Sequence, residues 1–268
     1  MMSTWEKHSI GYLIEDILRD GERKNCRNGM TQSLFGKRIH INLMGGGLPV
    51  IQGRRLYYSG VFGELSAMLA GATTVKEFQE HGCNYWDKWA DKDGNLVLDY
   101  GTAWRDFNGV DQLKELRSKL KNEPNDRRMI ISTWRPDRLH MLSLPCCHFL
   151  YQWHVSNGCQ LNMVVYQRSV DVMIGLPSDI LFAAAWNIIL AKEAGLDPGN
   201  LTFMMGDTHI YAEHLQAAKL YLDRLNQNVF ESVRYTLKTG TTVDNFDKDS
   251  ITLLNYSPLE AIKMEVKL

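Results

Sequence analysis

Three strand-like segments follow one another in the middle of this chain with no helix between them, and that order narrows the fold more than any other feature. Met129 to Trp134, Phe149 to Val155 and Gln160 to Gln167 carry the β-branched and aromatic residues that favour strands. After them, Gly175-Leu176-Pro177-Ser178-Asp179 opens a long apolar helix that runs through Ala194. A strand near Leu201 to Met205 precedes a helix from about Ala212 to Leu225. Arg234 to Lys238, Ile251 to Asn255 and Ile262 to Lys267 read as further strand-like pieces. Upstream, the pattern predicts a helix over Ile10 to Arg19 and a strand over Arg38 to Asn42. Phe62, Leu65, Met68 and Leu69 recur at helical spacing with Glu64 among them, and an amphipathic helix over Asp111 to Asn122 is stopped by Pro124. Strands and helices do not alternate as regular βαβ units, so the expected class is α+β, in one domain over residues 1–268.

Charge and cysteine content exclude several roles. The 30 Lys and Arg balance 31 Asp and Glu to a net charge of -1, which argues against nucleic-acid binding through overall charge while leaving local basic clusters open. No stretch approaches the roughly 18 apolar residues of a membrane span. Trp5-Glu6-Lys7-His8 makes the start of the chain too polar for a signal peptide. The five cysteines are odd in number and form no CxxC pair, so the expectation is reduced thiols in the cytoplasm, and no metal site. A reduced thiol is a candidate for chemistry, and the plain alternative is that all five fill space in the core.

Cys147, in Pro145-Cys146-Cys147-His148, stands just before an apolar strand, and Gln167-Arg168-Ser169 closes the next strand. If the two strands are neighbours, the Arg168 guanidinium stabilises a Cys147 thiolate and so makes a nucleophile. His148 cannot serve Cys147 as a base, because adjacent strand residues point to opposite faces. Glu64 on an apolar helix face is a second signal, since burying an unpaired carboxylate is costly.

In company these residues resemble the thymidylate synthase family. The matching pieces run in order: Arg27; Glu64-Leu65; Trp86-Asp87-x-Trp89; Tyr100-Gly101; Asp126-Arg127-Arg128; Cys147-His148; Gln167-Arg168-Ser169-x-Asp171; Gly175-Leu176-Pro177; Gly206-Asp207-Thr208-His209-x-Tyr211; and Tyr256-Ser257-Pro258. The resemblance implies a large mixed sheet packed by helices, a homodimer through that sheet, and 5,10-methylenetetrahydrofolate as co-substrate. It implies Cys147 as nucleophile on a pyrimidine nucleotide, with Glu64, Arg168 and Tyr100 in the catalytic set. Arg27, Gln167, Ser169, His209 and Tyr211 match nucleotide-binding positions. Arg127 and Arg128 match a pair that reaches the phosphate held by the other subunit. Trp86, Trp89, Leu144, Asp171 and Gly175 match the folate side. Without the family frame, Trp86 and Trp89 read as core, His209 as a satisfied buried histidine, and Arg127-Arg128 as a solvated pair.

One position departs from the thymidylate-forming members. They carry asparagine where this chain has Asp179, and that amide pairs the N3–H and O4 of uracil. Cytosine presents an N4 donor beside an N3 acceptor, which a carboxyl sharing one proton matches. Asp179 therefore resembles the base-reading residue of deoxycytidylate hydroxymethylases, relatives found in phages, for which the compartment is the host cytoplasm. The expected reaction is hydroxymethylation of dCMP, with methylation of dCMP or action on dUMP as alternatives. Trp86, Leu144, Val266 and Leu268 look similar to the methylating enzymes, which keeps that alternative open. Asp179 also has the side chain of an N-cap for a helix over Ile180 to Ala194.

Overall fold

The structure is a computed structural model that describes residues 2–3 and 5–267. Leu268 lies outside the described residues. Six strands form one sheet in the order β2 (Glu22–Cys26), β3 (Gly29–Asn42), β7 (Asp197–Tyr211), β6 (Gln160–Asp171), β5 (His148–Ser156) and β4 (Ile130–Ser132). Every neighbouring pair is antiparallel except β6 and β7. A parallel pair needs a long crossover, and α6 (Gly175–Glu193) supplies it. Two small antiparallel pairs stand apart, β1 (Met2–Ser3) with β8 (Phe230–Glu231) and β9 (Arg234–Leu237) with β10 (Ile251–Leu254). The α+β expectation, a large mixed sheet packed by helices, is what the structure has.

Alternation along the central strands sends one set of side chains into the core. Tyr151, Trp153, Leu161, Met163, Leu201 and Phe203 are all buried, and α6 packs on β6 and β7 with α2 (Tyr58–Ala70) against it. Ile180 to Ala191 of α6 are buried on every side, as an all-round apolar helix must be. The Trp104 and Trp186 rings stack 4.2 Å apart where α4 (Gly101–Arg105) meets α6. The helices α1 (Tyr12–Asp20) and α7 (Leu215–Gln227) cover the β3–β7 side, while α3 (Val75–Glu80) and α5 (Gln112–Asn122) lie at the periphery. The opposite face of the sheet exposes Phe35, Val164 and Met204. No helix among the described residues is long and apolar enough to cross a membrane.

Several expectations need correction. No strand forms at Ile262 to Lys267; its alternating Ile262, Met264 and Val266 line a cleft instead of pairing with another strand. The first helix begins earlier, with a π-helical turn over Lys7–Gly11 ahead of α1. Asp179 does not cap α6: the helix starts at Gly175 and its N-cap is Ile174, so Asp179 sits inside the first two turns. Strand β7 continues past Met205 through Gly206 to Tyr211. Gly206 is needed there, because a Cβ at that position would stand 2.7 Å from the Arg168 carbonyl oxygen.

Candidate active site

Cys147 and Arg168 meet because β5 and β6 form one hairpin. The Arg168 N–H donates to the Cys147 carbonyl at 2.9 Å, and Nη2 of Arg168 stands 3.9 Å from the Cys147 sulfur. The same guanidinium holds the approach to the nucleophile, donating from Nε to the Cys146 carbonyl at 2.7 Å and from Nη2 to the Pro145 carbonyl at 2.8 Å. Tyr100 fixes the other side, its hydroxyl accepting the Cys147 N–H at 2.6 Å. Gly101 lets Tyr100 come this close to α2, since a Cβ there would overlap the Met68 carbonyl oxygen at 2.0 Å. Burial pushes the Cys147 thiol up, and the Arg168 charge opposes it without prevailing. The resting thiol therefore keeps its proton at neutral pH.

A second cluster joins three elements: Glu64 from α2, Asp179 from α6 and His148 from β5. The Trp86 indole N–H donates to Glu64 Oε1 at 2.9 Å. Burial, with the charge of Asp179 added, still pushes Glu64 up to about 8. Burial pushes Asp179 up to about 7, opposed by the Gln167 amide, whose Nε2 donates to Oδ2 at 2.6 Å. His148 Nε2 lies 3.8 Å from the other Asp179 oxygen, and Nδ1 meets the Tyr151 hydroxyl. Burial pushes His148 down to about 3, so it is neutral. Two carboxyls that are ordinarily ionised thus stand protonated, in part or whole, at neutral pH. That is the state in which they can give protons as well as take them.

Both clusters open on one cleft with two lobes. The first, about 470 Å³, has Cys147 and Arg168 in its wall with Arg27, Ser169, His209 and Tyr211 around them. Leu144 and Asp171 also line it. One Asp171 oxygen accepts the Met173 and Ile174 N–H groups, which fixes the loop into α6. The second lobe, about 670 Å³, is lined by Glu64 and Asp179 with Tyr57, Tyr85 and Ile262. Trp89, Ile174, Gly175 and Val266 border both lobes, so the two are continuous. Trp86 and Gln167 are buried behind the cleft wall, touching it through Glu64 and Asp179. Arg127 and Arg128 line neither lobe; they lie on the exposed turn after α5, where Arg128 Nε pairs with Asp126 at 3.1 Å.

Three participants carried no role in the sequence reading. His148 was set aside as a base for Cys147, and the structure turns it toward Asp179 instead. Asp207 faces the cleft and pairs with His209 at 2.9 Å. Arg54 lines the second lobe, its guanidinium donating to the Met173 carbonyl. No group of His, Cys, Asp and Glu among the described residues has the geometry to hold a metal ion.

An arginine-flanked thiol, a pair of carboxyls held above their usual range and a broad aromatic lobe suit covalent addition to a pyrimidine beside a flat co-substrate. The thymidylate synthase family model matches residues 10–268, and the chain belongs to this family of folate-dependent pyrimidine nucleotide methyltransferases, enzymes that pass a one-carbon unit from methylenetetrahydrofolate to the base.

Proposed function

We propose that the pyrimidine is dCMP and the product 5-hydroxymethyl-dCMP. The observation that carries this reading is the Asp179 carboxyl, set at about 7 and tethered to Gln167. Near neutral pH both its neutral and its ionised forms are within reach. One oxygen accepts from the cytosine N4 amino group, and the proton is shared with N3. Protonation at N3 draws electrons from carbon 6 and favours attack there by Cys147. Uracil places O4 against the same group, and an ionised Asp179 then leaves two acceptors face to face in a buried site.

In this reading Cys147 adds to carbon 6, and Glu64 moves protons through water at the far side of the base. Arg27, Arg168 and Ser169 hold the phosphate, joined by Arg127 and Arg128 of the partner subunit. Guanidinium forks suit a dianionic phosphate better than ammonium groups do. His209 and Tyr211 hold the sugar 3′-hydroxyl. Trp89, Leu144, Asp171 and Gly175 contact the folate, with Trp86 behind Glu64. The second lobe supports a bicyclic ring system through its flat aromatic walls, and folate supplies the carbon at the oxidation level of formaldehyde. Members of the family are typically dimeric. Exposed Phe35, Val164 and Met204 on the outer sheet face favour a homodimer formed through that sheet.

Methylation to 5-methyl-dCMP is the second reading, favoured by one observation. Ile262, Met264 and Val266 form an apolar edge along the folate lobe, which disfavours the water that hydroxymethylation needs. The test is to incubate the protein with dCMP, dUMP and CMP, each with methylenetetrahydrofolate, and weigh the products. A gain of roughly 30 Da on dCMP supports hydroxymethylation, and roughly 14 Da with dihydrofolate formed supports methylation. Faster turnover of dUMP than of dCMP overturns the reading of Asp179.

A further inference from the structure

Strand alternation puts Asp207, His209 and Tyr211 on one face of β7, and all three border the lobe that holds Cys147. His209 Nδ1 lies 2.9 Å from Asp207 Oδ1. An ionised carboxylate only accepts hydrogen bonds, and the His209 contact holds Asp207 below the usual carboxylate range. The proton of a neutral His209 therefore sits on Nδ1, and Nε2 is left with a lone pair. Among the described residues nothing bonds to Nε2. The ring is held rigidly, with the Tyr211 ring at 5.1 Å on one side and the backbone locked by the Val172 N–H donating to the His209 carbonyl at 3.0 Å.

We propose that Asp207 is a positioning residue that locks His209 in the Nδ1–H tautomer, so that Nε2 accepts a hydrogen bond from the sugar 3′-hydroxyl. The inference rests on the proposed placement of the sugar at His209 and does not depend on which base is used. Its consequence is a demand on substrate class. The ligand must offer a donor at the 3′ position, as a free mononucleotide does. A 3′-phosphate offers only acceptors and meets the Asp207 charge behind the imidazole, so a nucleotide within a strand or a 3′,5′-bisphosphate is rejected. The dependency also fixes the sign of any change at Asp207: with no acceptor at Nδ1, the imidazole redistributes toward the Nε2–H form, which turns a donor toward the sugar.

The test uses nucleotide binding to the full chain without folate, measured by calorimetry for dCMP and its 2′,3′-dideoxy analogue, together with long-range nitrogen–proton NMR of the histidines. Wild type should show His209 as Nδ1–H and bind dCMP more tightly than the dideoxy analogue. Asp207→Ala should weaken dCMP about three- to tenfold, the scale of one hydrogen bond. It should leave the analogue within twofold and move the His209 signals toward Nε2–H. Asp207→Asn keeps an acceptor oxygen and should restore most of both properties. Equal weakening of both ligands, or an Nε2–H signature in the wild type, overturns the proposal. If dUMP binds in place of dCMP, the base reading has failed, and the same comparison with dUMP and its dideoxy analogue still decides the role of Asp207. If wild type fails to distinguish the two sugars, it is the placement of the 3′-hydroxyl that falls.

Discussion

Replacing Glu64 by glutamine should make the protein more stable at alkaline pH while removing its activity. Gln keeps the shape of the side chain, and its carbonyl oxygen can still accept the Trp86 N–H that Glu64 accepts at 2.9 Å. What it removes is a carboxyl whose burial sets it at about 8, against about 4.3 in an unfolded chain. A group held higher in the folded state stabilises fully below the unfolded value and loses that contribution as pH rises through the folded one. Between pH 5 and pH 8 the folded protein retains the proton and the unfolded chain does not. Each pH unit is then worth about 1.4 kcal/mol, an upper figure of about 4 kcal/mol over that interval. Glu64 also faces the cleft, and its value is shared with Asp179, so a difference of about 2–4 kcal/mol is expected. The assay is urea unfolding followed by tryptophan fluorescence at pH 5, 6, 7 and 8, with both proteins at the same concentration so that self-association cancels. Wild type should lose ground to Glu64→Gln steadily as pH rises. Parallel stability curves would refute the reasoning, because they would mean that cleft water solvates Glu64 as well as an unfolded chain does.

Other substitutions probe the rest of the site. Cys147→Ser should abolish turnover and any covalent adduct with the pyrimidine, read by intact-protein mass, while nucleotide binding persists. Arg168→Lys should slow alkylation of Cys147 by iodoacetamide about tenfold at pH 8, since it removes the fork on the Pro145 and Cys146 carbonyls and moves the cation from the sulfur. Asp179→Asn should shift the ratio of kcat/KM for dCMP over dUMP at least tenfold toward dUMP, measured by direct competition. Gly101→Ala should destabilise by about 3 kcal/mol or more, seen as a lower urea midpoint, because its methyl group collides with the Met68 carbonyl.

The sequence reveals those parts of the fold that depend on local pattern. The hairpin of β5 and β6 has alternating buried residues and a short turn, so the neighbourhood of Cys147 and Arg168 follows from it. Helix α6 is legible because an apolar run of that length fits only a buried helix. Strand β2, Glu-Arg-Lys-Asn-Cys, was missed because it is an exposed edge with no apolar side to repeat. The far end of β7 is not legible because Gly206 and Asp207 break the run of apolar strand residues, whereas Gly206 serves the close approach of Arg168. The alternation in Ile262 to Lys267 was present but belonged to a cleft wall. The acid cluster was the least legible. Glu64, His148 and Asp179 come from three elements far apart in sequence, and only their assembly raises the two carboxyls together.

Helix α6 divides sharply between its first turns and the rest. Ser178 and Asp179 reach the cleft, and the next three turns are sealed in the core. The side chains that meet the cleft are therefore confined to one short stretch, in which Asp179 is still tied to Gln167, and the rest of the helix serves as its anchor. Asparagine and aspartate codons differ by a single nucleotide. In the reading proposed for Asp179, one nucleotide change separates the two base preferences. The exchange is felt in folding as well, because a buried carboxyl pushed up to about 7 loses stability as pH rises and an amide does not.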